Sequence, residues 1–230
     1  MRTLEDIFED YAFDKMKDNG LVLFPLPTGS GKSFTIFNFI CKMLTEKKIK
    51  DKIIFVTSLK KNLQLEELAE HFDNPHKEII FKDKVLFVKS NLDCVLDNLQ
   101  DLDSKIPATI KDLKEYRFLY QAVCFCKTQE KNTDFQVQEA VKQRKDDIRD
   151  NIERTFRRKI KALLDVDIKA KFGRRVSYKY KLKFVQENKK WAWLLELYPQ
   201  ILTREKQVYL MSMDKFLLRN DPIIDKPYFI

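Results

Sequence analysis

An α/β fold interrupted by a long helical insertion is the architecture this sequence predicts. Three observations carry it. The apolar run Leu21–Phe24 leads through Pro25 and Pro27 into a glycine-bearing turn, and then into an apolar helix from Phe34 to about Leu44. Two further short apolar runs, Ile53–Val56 and Val85–Val88, are each followed by helical periodicity, the alternation that builds parallel sheets. From about Pro107 the alternation stops, and residues 109–127 and 133–168 read as long helices with few breakers.

The first of these stretches, residues 21–33, reads LVLFPLPTGSGKS. A run apolar at every position suits a strand buried on both faces. Gly29 and Gly31 allow a turn tight enough to aim successive N–H groups inward. The chain has only 4 glycines, so two of them here mark a backbone requirement. Lys32 is placed to reach the β- and γ-phosphates of a nucleotide, and the Ser33 hydroxyl to bind Mg²⁺. The positive end of the following helix faces the same phosphates. The pattern G-x-x-x-x-G-K-[ST] holds Leu26 at its first glycine position, so the strict form fails; the strand before and the helix after carry the assignment. The candidate site is Pro27, Thr28, Gly29, Ser30, Gly31, Lys32 and Ser33, with Lys32 catalytic, Ser33 the metal ligand, and ATP with Mg²⁺ as the cofactors. The plain alternative is a Gly-Ser turn with Lys32 solvated.

The wording P-T-G-S-G-K-S resembles motif I of superfamily 2 helicases and translocases. It is most similar to the DEAD/DEAH-like group that includes the motor subunits of type III restriction enzymes. A small residue usually precedes Pro-Thr-Gly there, and Leu26 departs from that. The resemblance implies a RecA-type phosphate-loop domain, of which this chain would be the N-terminal part. It implies ATP hydrolysis coupled to movement on nucleic acid, DNA in the first place. It covers residues 1–100 and 186–230, which would form the ATP-binding domain, with 101–185 a mainly helical, basic insertion. Restriction, phage defence and repair all stay open as settings.

The remaining elements follow in order. Thr3 is placed to cap a first helix bearing Leu4, Ile7, Phe8, Tyr11 and Ala12. The resembling family often has a glutamine there that reads adenine, and no glutamine precedes Gln64. At the end of the Ile53–Val56 strand stand Thr57, Ser58, Lys60, Lys61 and Asn62, before a helix over Leu59–Phe72. In the family this place is motif Ia, which touches the nucleic acid backbone. Hydroxyls, an amide and lysines suit phosphate contacts, although a capped strand–helix connection reads the same way. Ser90 is placed to cap a helix carrying Leu92, Val95, Leu96 and Leu99. Ile148, Ile152, Phe156, Ile160 and Leu164 form one narrow stripe, which suits a helical arm packed on one side or an amphipathic dimerisation helix.

Val176, Tyr178, Tyr180, Leu182 and Phe184 alternate with Ser177, Lys179, Lys181 and Lys183, which predicts an extended segment with one basic face. Trp191, Leu194, Leu195 and Tyr198 predict a short amphipathic helix with the tryptophans in the core. Val208–Met211 reads as a strand, Ser212–Leu218 as a short helix and Pro227–Ile230 as the start of another strand. In the family Ser212, Met213 and Lys215 would stand just before motif II. That motif is an Asp-Glu pair holding Mg²⁺, and no Asp-Glu dipeptide occurs in the 230 residues. The expectation is therefore a piece or truncated product of a longer protein, inactive in hydrolysis by itself.

The formal charge of +9 is concentrated. Residues 154–190 hold 14 Lys and Arg against Asp165, Asp167 and Glu187, a net of +11 that leaves −2 for the rest. A polyanion is expected to meet this segment, with Arg157, Arg158, Arg174 and Arg175 as contacts; a solvated lysine-rich face is the alternative. The 4 cysteines show no disulfide spacing and no signal peptide is seen, which suggests a reducing cytoplasm. Cys94, Cys124 and Cys126 lie where some superfamily 2 helicases hold an iron–sulfur cluster, but three ligands are too few. No stretch approaches the ~18 apolar residues of a membrane span. Two rival functions stay in view: a nucleotide-dependent switch or assembly ATPase that binds a protein through the insertion, and a degenerate nucleic-acid-binding module.

Overall fold

The computed structural model describes residues 3–10, 31–47, 52–57, 65–173, 176–202, 205–213 and 216. The chain divides into two compact units. The first is Met1–Phe87 with Glu205–Met213, and the second is Val88–Arg204 with Asp214–Ile230. No described helix is long and apolar enough to cross a membrane.

The first unit holds a small parallel sheet with helices. Its strands are β1 (Ile53–Thr57), β2 (Val85–Phe87) and β3 (Val208–Ser212), in the order β1-β3-β2 and all parallel. In register, Phe55 pairs with Leu210 and Phe87 also pairs with Leu210, so β3 is the central strand. Its residues Val208, Tyr209, Leu210 and Met211 are fully buried. An unbroken apolar run is what a strand covered on both faces requires. Among the described residues four α-helices belong to this unit: α1 (Leu4–Asp10), α2 (Lys32–Lys42), α3 (Leu65–Glu70) and α4 (Pro75–Lys84). Phe37, Ile40, Cys41 and Leu44 of α2 and its π-helical extension Met43–Lys47 join Leu68, Phe72, Val85, Val208 and Leu210 in one core. Thr3 caps α1 as expected: its Oγ1 accepts from the Asp6 N–H at 3.1 Å while its own N–H donates to Asp6 at 2.8 Å. The predicted helix 59–72 is seen over α3 alone, with residues 58–64 outside the described part. Helix α4 was not predicted. Asn74 caps it, accepting from the Lys77 N–H at 3.0 Å, with Pro75 in the first turn.

The second unit is helical: α5 (Asn91–Asn98), α6 (Ala108–Lys111), α7 (Lys114–Gln129), α8 (Phe135–Asp147), α9 (Glu153–Phe172), α10 (Tyr178–Glu187) and α11 (Trp193–Leu197). Ser90 and Asp93 form a reciprocal capping box at α5. The first long helix breaks at Leu113, and the second runs through a π-helical turn, Ile148–Ile152, to Phe172. A strict four-residue stripe drifts about 40° per step on a 3.6-residue helix, and the wider π turn absorbs part of that drift. Ile148, Phe156, Ile160 and Leu164, continued by Ile168, are buried in a core shared with Leu119, Val123, Leu182, Trp191 and Trp193. The stripe is thus covered by its own chain and does not serve as a free dimerisation face.

One expectation fails here. Residues 176–184 are not extended; Tyr178–Glu187 is a helix. Tyr178, Leu182 and Val185 recur at helical spacing and are buried, whereas Tyr180, needed for a two-residue alternation, is 59% exposed. The alternation was a coincidence of an apolar helix face that also carries Phe184. Both tryptophans lie in the core, as expected, at 0% and 2% exposure.

Candidate nucleotide-binding site

The site begins where α2 begins. Gly31 stands at the N-cap in the left-handed conformation, φ 76°, which favours glycine. Its carbonyl accepts twice from Thr35, from the N–H at 3.0 Å and the hydroxyl at 3.1 Å. Among the described residues no side chain caps the helix. Among the described residues a Cβ at Gly31 would meet nothing within 4 Å. Lys32 and Ser33 follow as the first two helical residues, Lys32 half-buried and Ser33 exposed. Pro27, Thr28, Gly29 and Ser30 lie outside the described residues, as does the predicted strand Leu21–Phe24.

The rest of the helix is held firmly. Phe37 meets the Phe55 ring of β1 edge-on at 5.7 Å. His71 Nδ1 hydrogen-bonds Asn38 Oδ1 at 2.6 Å, and the Cys41 thiol donates to the His71 carbonyl at 3.1 Å. Burial raises the pKa of that thiol. Lys42 ties α1 to α2 through Glu9 at 2.5 Å and Glu5 at 3.5 Å. The His71 clamp has no signature in the sequence, because its partners stand 33 and 30 positions away. Along these later turns of α2 runs a polar cleft of about 440 Å³, lined in part by Glu5, Asn38, Lys42, His71, Asp73 and Lys77. Its lysines are already paired, Lys42 as above and Lys77 with Asp73 at 3.0 Å.

At the sheet, Thr57 ends β1 directly opposite Ser212 at the end of β3. Two hydroxyl residues therefore stand side by side at the carboxyl edge of parallel strands, the edge where open α/β sheets bind ligands. Ser58, Lys60, Lys61 and Asn62 lie outside the described residues, and so do Lys215 and Pro227–Ile230.

The basic candidates separate. Arg157 Nε donates to Glu153 at 2.9 Å and its side chain is only 20% exposed. Arg158, the next residue, is exposed. Arg174 and Arg175 lie outside the described residues. Cys94 donates to Gln200 at 3.1 Å and Cys124 accepts from Gln100 at 3.0 Å. Among the described residues no group of three His, Cys, Asp or Glu is arranged for a metal ion.

A family model described as type III restriction enzyme, res subunit, matches residues 2–158. The chain belongs to this family. Its kind of domain is the helicase-like, RecA-type phosphate-loop motor domain of the DEAD/DEAH-like superfamily 2 group, and the family as a rule uses ATP with Mg²⁺. The match spans the stretch predicted to bind nucleotide, β1 and β2, and ends at Arg158. No curated protein matches the chain.

Proposed function

We propose that the chain binds ATP–Mg²⁺ through Pro27–Ser33 as part of a motor that moves on nucleic acid. The observation that carries this reading is Gly31 in the left-handed conformation at the start of α2, followed at once by Lys32 and Ser33. A helix so begun offers N–H groups and a positive dipole end to phosphate. The donor set fits the cofactor. Lys32 would contact the terminal phosphates and the Ser33 hydroxyl would hold the metal ion. Bound Mg²⁺ would neutralise charge on the phosphate oxygens. The aromatic and aliphatic anchors Phe37 and Ile40 keep the helix end in place while the ligand exchanges. Thr57 and its successors Ser58, Lys60, Lys61 and Asn62 are the residues we assign to the nucleic acid backbone, because they follow the carboxyl end of β1.

Titration calorimetry with ATP–Mg²⁺ tests the reading. The parent chain should bind weakly and Lys32→Ala should lose binding; equal affinity in the two would refute it. Phosphate release by the parent should not exceed that of Lys32→Ala, because the sequence holds no Asp-Glu pair to position metal and water.

A further inference from the structure

Two groups stand out among the described cations of residues 154–190. One class is used internally. Asp165 holds Lys181 at 3.1 Å, Asp167 holds Lys190 at 2.8 Å, and Glu187 faces Lys183 at 3.6 Å. Buried Glu153 holds Arg157 at 2.9 Å. Every carboxylate of the segment is thereby occupied. The other class points away from the core. Arg154, Arg158 and Lys169 are exposed on α9, and among the described residues they form no ion pair. At about 100° per residue they fall within one 60° sector of the helix, opposite the buried Phe156–Ile160–Leu164 stripe. With a rise of about 1.5 Å per residue they extend over roughly 22 Å. Thr155 and Ala162 lie beside them, short side chains that let a polymer approach the helix.

We infer that this outward face of α9 binds the phosphate backbone of a nucleic acid without reading its bases. The inference rests on the motor reading above, which supplies a nucleic acid track, but places a contact in the helical unit. Charge complementarity argues for that occupant. The face has three unneutralised cations in a line and its one carboxylate, Asp165, already satisfied. A lipid surface is disfavoured because an interfacial helix needs a row of large apolar side chains to insert. Here Val166, 63% exposed, is the single large apolar residue of the outward face.

The test uses the full chain carrying Arg154→Glu, Arg158→Glu and Lys169→Glu. A control carries the same charge change at Lys114, Lys131 and Lys142, exposed positions of the same unit. Fluorescence anisotropy is read against salt with single-stranded and duplex DNA of equal length, and with anionic vesicles of phosphatidylserine. The face variant should bind at least tenfold more weakly. Its salt slope should fall by roughly 0.7 per lost contact on single strands or 0.9 on duplex. The control should keep most of the affinity. Equal losses in face variant and control would overturn the assignment, as would vesicle binding with no DNA binding. Titration of ATP with the same variants separates this from the nucleotide reading: the face variant should bind ATP like the parent, and failure of Lys32→Ala to matter would leave the DNA result standing.

Discussion

Glu153→Ala should destabilise the helical unit far more than an exposed charge change. Glu153 is 2% exposed at the start of α9, a strongly buried carboxylate. It accepts from Arg157 Nε at 2.9 Å and from the Tyr198 hydroxyl at 2.9 Å, and Tyr198 has no exposed surface. Removing the carboxylate leaves a buried hydroxyl without this acceptor, which costs about 1–3 kcal/mol. Arg157 is 20% exposed and can turn partly to water, so the broken pair falls near the lower end of the roughly 3–5 kcal/mol range for buried pairs. Together we expect a loss of about 4–6 kcal/mol. Urea unfolding followed by tryptophan fluorescence measures it directly, because the only 2 tryptophans, Trp191 and Trp193, sit in this unit's core. With a urea slope of about 1–3 kcal/mol per molar, the midpoint should drop by at least about 1 M. In a Tyr198→Phe background the same substitution should cost less, since the stranded hydroxyl is gone. A midpoint shift below about 0.3 M for Glu153→Ala would refute the reasoning. The result bears on function too. Arg157→Glu would set a second carboxylate against Glu153, so lost DNA binding in that variant would report unfolding and not a missing contact.

Two further outcomes are expected. Tyr116, Tyr198 and Tyr209 have pKa values raised by burial, the first two also by donating to Asp103 at 2.6 Å and Glu153 at 2.9 Å. A raised folded pKa means stability that is complete below the unfolded value of about 10 and is lost as pH rises toward the folded value, by up to about 1.4 kcal/mol per pH unit per tyrosine; a urea midpoint that stays flat between about pH 9 and pH 11 would contradict this. The two hydrophobic cores share no residue, so tryptophan fluorescence, which reports the helical unit, and far-ultraviolet circular dichroism, which reports both, should give non-coincident urea transitions; superimposable curves would show one cooperative unit.

Elements with a strong local signature were legible in the sequence. The apolar runs at 53–56 and 208–211 are β1 and β3, and Ser90 forms the cap it promised. The α9 stripe was read as helical because five apolar residues kept one spacing. What the spacing could not tell is what covers them, since Tyr116 and Trp193, whose rings lie 6.0 and 6.4 Å from Phe156, come from distant parts of the chain. Residues 176–184 misled for a physical reason. Five aromatic or aliphatic residues at even positions mimic a strand, but Phe172 packs against Phe184 edge-on at 6.1 Å and so favours the helical placement. Helix α4 escaped because it buries none of its residues, so no periodic stripe announced it, although the Asn74-Pro75 start was in view.

The candidate site was legible to a different degree in its two halves. Phosphate recognition depends on backbone shape, and backbone shape leaves a trace in the sequence where glycine is favoured: Gly31 adopts a φ of 76° at the start of α2. Polyanion recognition depends on which cations are left over after the fold has used the others, and that leaves no local trace. Arg157 and Arg158 are neighbours with the same chemistry. A rotation of about 100° puts the first beside buried Glu153 and the second in solvent. Net charge over a segment therefore points to a surface but overstates its reach. The cations that can meet a phosphate are those that no carboxylate of the described residues pairs with, as for Arg154, Arg158 and Lys169. A reversal confined to these residues changes the outward field of α9 while the internal pairs of Arg157, Lys181 and Lys190 stay intact, which is why its effect on the salt slope can be assigned to contact and not to folding.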